Sequence, residues 1–177
     1  MKEKQGLIHL YCGDGKGKTT AAMGLALRAV GHGFHVGVVQ FLKDGDSGEL
    51  APLSSLPGVR VLSGKGVKGF SFQMSEEEKK TVKQCHEKHL DKAIGWCREG
   101  WCGLLILDEV VDAVNSGLLE KEMLLGFLQE KPSALEVVLT GRNPGKELVD
   151  LSDYYSEVRK IKHPYDRGIT AREGIEK

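Results

Sequence analysis

Lys18 and Thr19 close a run, Gly13-Asp14-Gly15-Lys16-Gly17, in which every second residue is glycine. An ammonium beside a hydroxyl, preceded by residues without side chains, is the chemistry of a polyphosphate site. Glycine lets backbone N–H groups turn toward an anion with no Cβ in the way. Lys18 adds a full positive charge, and the Thr19 hydroxyl is a ligand for Mg²⁺. Lys16 and Thr20 extend the same loop. The pattern departs from G-x-x-x-x-G-K-[ST] at one place, because Cys12 stands where the first glycine belongs. A second cluster, Asp108-Glu109, ends the apolar run Leu104-Leu105-Ile106-Leu107. Carboxylates so placed hold Mg²⁺ directly or through water, or polarise a nucleophile. A third, Gly141-Arg142-Asn143-Pro144, is a turn in which Arg142 is placed to reach phosphate or another ligand.

These residues need elements to position them. Residues 7–10 read as a strand and 21–30 as a helix, so the loop presents the helix's unpaired N–H groups to an anion. Gly31-His32-Gly33 reads as the helix stop. Residues 35–41 read as a buried parallel strand, 43–48 as a loop, 49–56 as a short helix and 59–62 as a third strand. Residues 65–74 are irregular and hold Phe70 and Phe72, which an extended backbone points to one side. Ser75 and Glu78 form a capping box, and a long helix follows to about Arg98. Its expected buried stripe is Val82, Cys85, His89, Ala93, Trp96 and Cys97. His86 and His89 lie one turn apart and read as packed histidines. Residues 104–109 form a strand with an acidic end, 110–114 and 122–128 helices, 136–140 a strand, 146–151 a short helix and 154–161 a last strand. Alternating strands and helices predict an α/β fold with a mostly parallel sheet, helices on both faces, and all three clusters at strand C-terminal ends.

The chain as a whole narrows the function. Its 177 residues suit a single domain spanning 1–177. Lys+Arg and Asp+Glu are 25 each, which argues against general nucleic-acid binding, since that needs clustered positive charge. No apolar run approaches membrane length. The charged N-terminus carries no secretory pattern, which implies a cytoplasmic protein. The four cysteines form no C-x-x-C pair and read as free thiols of a reducing compartment. The residues alone support a Mg²⁺–nucleoside triphosphate site and leave open a switch or assembly ATPase, or a module that only binds a ligand.

Several stretches resemble, in order, the P-loop corrinoid (cob(I)alamin) adenosyltransferases. They are Gly13 to Thr20, Val39-Gln40-Phe41-Leu42-Lys43, Gly69-Phe70-Ser71-Phe72, Leu107-Asp108-Glu109, Leu139-Thr140-Gly141-Arg142-Asn143 and Lys162-His163-Pro164-Tyr165-Asp166-Arg167-Gly168. The resemblance implies a P-loop NTPase (RecA-like) three-layer fold. It implies transfer of the 5′-deoxyadenosyl group of ATP to the cobalt of a reduced corrinoid, with triphosphate leaving and ATP lying reversed in the loop. Gly13, Asp14, Gly15, Lys16, Gly17, Lys18, Thr19, Thr20 and Arg142 are then the nucleotide ligands, with Lys18 catalytic. Thr19, Glu109 and Asp108 are the metal set, tilted toward Glu109. Phe70 and Phe72 match an aromatic pair that fills the lower face of the corrin, though relatives carry Trp at the second position. The resemblance further implies an electron donor such as a flavoprotein, a homodimer, no nucleic acid and no membrane.

Overall fold

The structure, a computed structural model, describes residues 5–45, 47–64 and 74–176. Its strands are β1 (Ile8–Cys12), β2 (Val36–Gln40), β3 (Val59–Ser63), β4 (Leu104–Asp108), β5 (Glu136–Gly141) and β6 (Tyr154–Glu157). They form one sheet in the order β3-β2-β4-β5-β1-β6, and every pairing is parallel. The helices are α1 (Lys18–Gly31), α2 (Leu50–Ser54), α3 (Glu76–Arg98), α4 (Val110–Asn115), α5 (Lys121–Glu130) and α6 (Lys146–Leu151).

The central strands read as unbroken apolar runs because helices cover both faces. β2 and β4 are buried at every position. Alternate residues point to opposite sides. Leu104 and Ile106 join Val36, Val38 and Val138 against Ala22, Met23 and Ala26 of α1. Leu105 and Leu107 join Val39, Val137 and Leu139 against α3, α4 and α5. The result is a three-layer α/β fold. Each fully buried leucine contributes about 1.5–3 kcal/mol, so the sheet is a stiff platform for the loops at its edge.

The capping box of α3 is present. Glu78 N–H donates to Ser75 Oγ at 3.3 Å, and Ser75 N–H donates to Glu78 Oε2 at 2.7 Å. The buried stripe differs from the expected one. Val82, Ala93, Trp96 and Cys97 are buried, but His86, Leu90 and Ile94 accompany them, while Cys85 and His89 are only half-buried. The helix is rotated so that His86, not His89, faces the sheet, because both nitrogens of His86 find partners there.

The last strand is shorter than expected. β6 pairs with β1 through Glu157 and then stops. Beyond it, Val158 N–H donates to Cys12 O at 2.7 Å, and Val158 O accepts from Gly15 N–H at 2.8 Å. The backbone after β6 thus braces the glycine loop instead of extending the ladder. Among the described residues no helix is long and apolar enough to cross a membrane.

Candidate active site

An all-parallel sheet places the loops after β1, β2, β4 and β5 at one edge. The loop after β1 holds Gly13 at φ 113° and Gly17 at φ 121°, in the region that favours glycine. A Cβ on Gly13 would lie 2.3 Å from Val158 O. Gly17 is the N-cap of α1, so the N–H groups of Lys18, Thr19 and Thr20 are first-turn donors with no helical acceptor. Lys18 Nζ curls back to donate to Gly15 O at 2.8 Å. Burial lowers its pKa, and the Arg142 guanidinium lowers it further.

The register of the sheet assembles the acidic centre. Gln40 lies opposite Asp108 across β2 and β4, and Leu107 opposite Leu139 brings Thr140 beside Asp108. Asp108 is fully buried and has four partners. Its Oδ1 accepts from the hydroxyls of Thr19 at 2.7 Å and Thr140 at 2.8 Å. Its Oδ2 accepts from Lys43 Nζ at 3.0 Å and Gln40 Nε2 at 3.2 Å. Thr140 Oγ1 in turn accepts from Glu109 N–H at 2.8 Å.

Lys43 is the resident cation of this centre, with Glu49 at 3.8 Å and Glu109 at 3.9 Å besides Asp108. Burial pulls its pKa down, but the three carboxylates outweigh burial and leave it raised. Its position follows from Leu42, a non-glycine residue at φ 58°. The Leu42 N–H donates to Nε2 of His86 at 3.3 Å, and His86 Nδ1 donates to Leu118 O at 2.9 Å. A neutral imidazole satisfies both bonds, and burial lowers the pKa of His86 accordingly.

Glu109 leaves β4 at φ 61°, as the N-cap of α4. Its side chain is 35% exposed. Burial pushes its carboxyl up to about 7; Lys43 opposes the shift and Asp108 adds to it. Arg142 follows Gly141, whose Cβ would meet Val111 Cβ at 2.5 Å. Arg142 N–H donates to Asp112 Oδ2 at 3.1 Å, and Asn115 Nδ2 donates to the carbonyls of Arg142 and Asn143, each at 3.0 Å. This turn is tied to α4, and its guanidinium reaches far enough to act on Lys18, Asp14 and Glu109.

Lys18, Thr19, Asp108, Glu109 and Arg142 therefore converge. Asp14 and Lys16 face the other way: Asp14 Oδ1 accepts from Lys160 N–H at 2.8 Å, and Lys16 borders a cavity with the C-terminal tail. Thr20 is exposed on the first turn of α1. Phe70 and Phe72 lie outside the described residues. Gln40, Lys43 and Thr140 lie in stretches that carry the resemblance, but neither they nor Asp112 had a site role assigned from the sequence. Gln40 and Lys43 sit at a strand's C-terminal end, the edge where the sequence places ligands, but that rule names an edge and not the residues that use it.

The donor set fits a hard cation of the magnesium kind. Thr19 donates its proton to Asp108, which leaves its oxygen lone pairs outward, and Glu109 supplies a carboxylate. Both oxygens of Asp108 are engaged, so it orients ligands more than it binds. Among the described residues no group of three His, Cys, Asp or Glu side chains is set to hold a metal. A cation here needs phosphate oxygens as its remaining ligands. Gln40 Oε1 is buried with no partner among the described residues.

A family model described as ATP:corrinoid adenosyltransferase BtuR/CobO/CobP matches residues 4–176. A corrinoid adenosyltransferase of Escherichia coli (strain K12) is 35% identical over 181 residues, covering 99% of this chain and 87% of the relative. Corrinoid adenosyltransferase CobA of Salmonella typhimurium is 35% identical over 184 residues, with the same coverage of 99% and 87%. A corrinoid adenosyltransferase of Pseudomonas aeruginosa is 32% identical over 176 residues, covering 99% and 85%. Among solved structures, the cytoplasmic domain of the Thermomonospora curvata Type VII secretion ATPase EccC aligns with a TM-score of 0.51 at 15% identity, over 93% of this chain and 21% of that one. That likeness concerns the fold alone.

Proposed function

The chain belongs to the ATP:corrinoid adenosyltransferase family, and from that membership we propose how its residues divide the work. The reaction is adenosyl transfer from ATP to a corrinoid. In our reading cobalt(I) of the reduced corrinoid attacks C5′ of the ribose. The cobalt electron pair forms the Co–C bond, the C5′–O5′ bond breaks, and its pair leaves on the triphosphate. The protein then need not supply a nucleophile. Its task is to hold a polyanion while charge builds on the departing oxygen.

Lys18, the loop N–H groups and Arg142 take that role. Each of these donors is held by the backbone geometry of the strand edge. Thr19 and Glu109 would hold Mg²⁺, and Asp108 fixes the Thr19 hydroxyl. The ion, when bound, neutralises phosphate charge. The observation that carries the assignment is the shared oxygen of Asp108, which locks Thr19 of the glycine loop to Thr140 of β5. Phe70 and Phe72 are assigned to the lower corrin face on the resemblance. An aromatic pair there keeps an axial ligand away and makes cobalt(II) easier to reduce. A flavoprotein electron donor, a homodimer and a single domain complete the proposal.

The test mixes protein, Mg-ATP, reductant and cobalamin. A light-sensitive Co–C product with intact triphosphate is expected. ADP or phosphate as the sole nucleotide product refutes the assignment. Phe72→Ala should slow reaction from cobalt(II) far more than from chemically pre-reduced cobalt(I); equal losses from both starting states make Phe72 merely structural.

A further inference from the structure

A concentration of positive charge lies beside the glycine loop, among residues of the C-terminal tail. A cavity of about 380 Å³ opens between Gly15-Lys16 and the C-terminal tail. Its lining carries Lys16, Arg159, Lys160, Lys162 and Arg172 against a single carboxylate, Glu176. The chain as a whole has no net charge, so this excess is local. Glu176 is already spent: Arg172 grips it through Nε at 3.0 Å and Nη2 at 2.8 Å. Lys160 pairs with Asp166 at 3.0 Å, and the carboxylate of Glu157 stands 4.0 Å from Arg159. Lys16, Lys162 and Arg159 are thus the cations available to a guest.

The cavity is fixed to the loop by backbone. Gly15 N–H donates to Val158 O, Val158 N–H to Cys12 O, and Lys160 N–H to Asp14 Oδ1, all within 2.8 Å. Cβ atoms on Gly13 and Gly15 would strike Val158 and Arg159. Two glycines of the loop therefore serve the tail's close approach. The apolar residues of the lining are Pro164 and Ile175, and its one ring is His163, whose Nδ1 accepts from Tyr165 N–H at 3.2 Å. Five guanidinium and ammonium groups converging around one ring suit phosphate oxygens.

We propose that this cavity is a distal-phosphate subsite, holding the far end of a polyphosphate chain whose other phosphates lie in the glycine loop. The inference rests on the reading that the loop binds triphosphate, and it deepens it. Gly15 and Lys16 belong to the glycine loop and also line the cavity, so the chain passes from one to the other along this stretch of backbone. A triphosphate reaches the cavity and a diphosphate does not. The tail thereby reads phosphate-chain length.

The experiment measures binding alone, by calorimetry with inorganic triphosphate and inorganic diphosphate, and in parallel with ATP and ADP. The variant is Arg159→Gln/Lys162→Gln, two exposed positions whose loss leaves the fold intact by circular dichroism. The triphosphate and ATP Kd values should rise about 10- to 100-fold, since each tenfold is about 1.4 kcal/mol and charge-assisted hydrogen bonds lie in that range. The diphosphate and ADP values should move less than about threefold. Equal weakening of short and long chains would reduce the effect to general electrostatics and overturn the proposal, as would no weakening at all. Wild-type protein that fails to bind triphosphate overturns it outright. Wild-type protein that binds triphosphate in this pattern but forms no Co–C bond leaves the subsite standing and sinks the adenosyl-transfer assignment instead.

Discussion

Replacing Asp108 by Asn tests the acidic centre at the atom on which it converges. The swap keeps shape and removes charge. Oδ1 still accepts from Thr19 and Thr140, but the new amide nitrogen replaces Oδ2. It then confronts two donors, Lys43 Nζ at 3.0 Å and Gln40 Nε2 at 3.2 Å. Losing a charge-assisted hydrogen bond costs about 1.5–3 kcal/mol. Leaving one partner of a buried pair uncompensated costs roughly 3–5 kcal/mol. Lys43 is not stranded completely, because its side chain is 22% exposed and Glu49 and Glu109 stand just under 4 Å away. The expected loss is therefore about 2–4 kcal/mol, at the lower part of the combined range.

Urea unfolding of the nucleotide-free protein measures this loss, read as a shift of midpoint at constant slope. A double-mutant cycle with Lys43→Met isolates the pair, and its coupling should be about 1–3 kcal/mol. The same variant should bind Mg-ATP at least about tenfold more weakly, because the acceptor that fixes the Thr19 hydroxyl becomes a neutral amide oxygen and a weaker partner. A stability loss below about 0.5 kcal/mol with coupling near zero would refute the claim that Asp108 organises the centre.

Three further outcomes follow from the same geometry. Lys18→Ala should lower adenosyl transfer by about 10²–10³-fold, the scale of losing one preorganised charge from a site of developing anion; a near-normal rate would remove the loop from the mechanism. Gly13→Ala should destabilise by about 2–4 kcal/mol in thermal unfolding, since φ 113° strains any side chain and the new Cβ meets backbone oxygen at 2.3 Å; an unchanged melting temperature would contradict the packing of Val158 on the loop. His86→Leu should cost about 2–4 kcal/mol by orphaning Leu42 N–H and Leu118 O. It should also flatten the acid side of the stability–pH curve. The folded pKa of His86 is depressed by burial, so below the unfolded value of about 6.5 the unfolded chain binds the proton first and stability falls with pH. A variant with the same acid slope as wild type would place the titration elsewhere.

The chemistry that sequence reading recovered is the chemistry carried by consecutive residues. Gly13 to Thr20 and Asp108-Glu109 are contiguous, so residue types and order announce a phosphate loop and an acidic strand end without any knowledge of packing. The helix Glu76–Arg98 was legible at both ends because its cap is local. Its rotation was not. Cys85 and His89 satisfy helical spacing as well as His86 and Leu90 do, and only the carbonyl of Leu118 and the amide of Leu42 select the second set. β6 illustrates the same limit, since its early end follows from an acceptor on Cys12, 146 positions away from Val158.

The same argument explains why Asp108 and Glu109 divide their roles although the sequence presents them as a pair. Asp108 is the last residue of β4 and points into the register of neighbouring strands, where residues 19, 40, 43 and 140 meet it. Glu109 is the first residue beyond the ladder, turned by φ 61° toward the open edge and held there through Thr140. One carboxylate is consumed by the scaffold, and its neighbour stays partly exposed, with Lys43 nearby at 3.9 Å. Lys43 makes that division stable before any ligand arrives, by supplying a cation among three carboxylates that would otherwise repel one another. An aspartate engaged at both oxygens is a positioning group, and on the proposed reading a cation brought in with phosphate would meet Glu109 and Thr19 first.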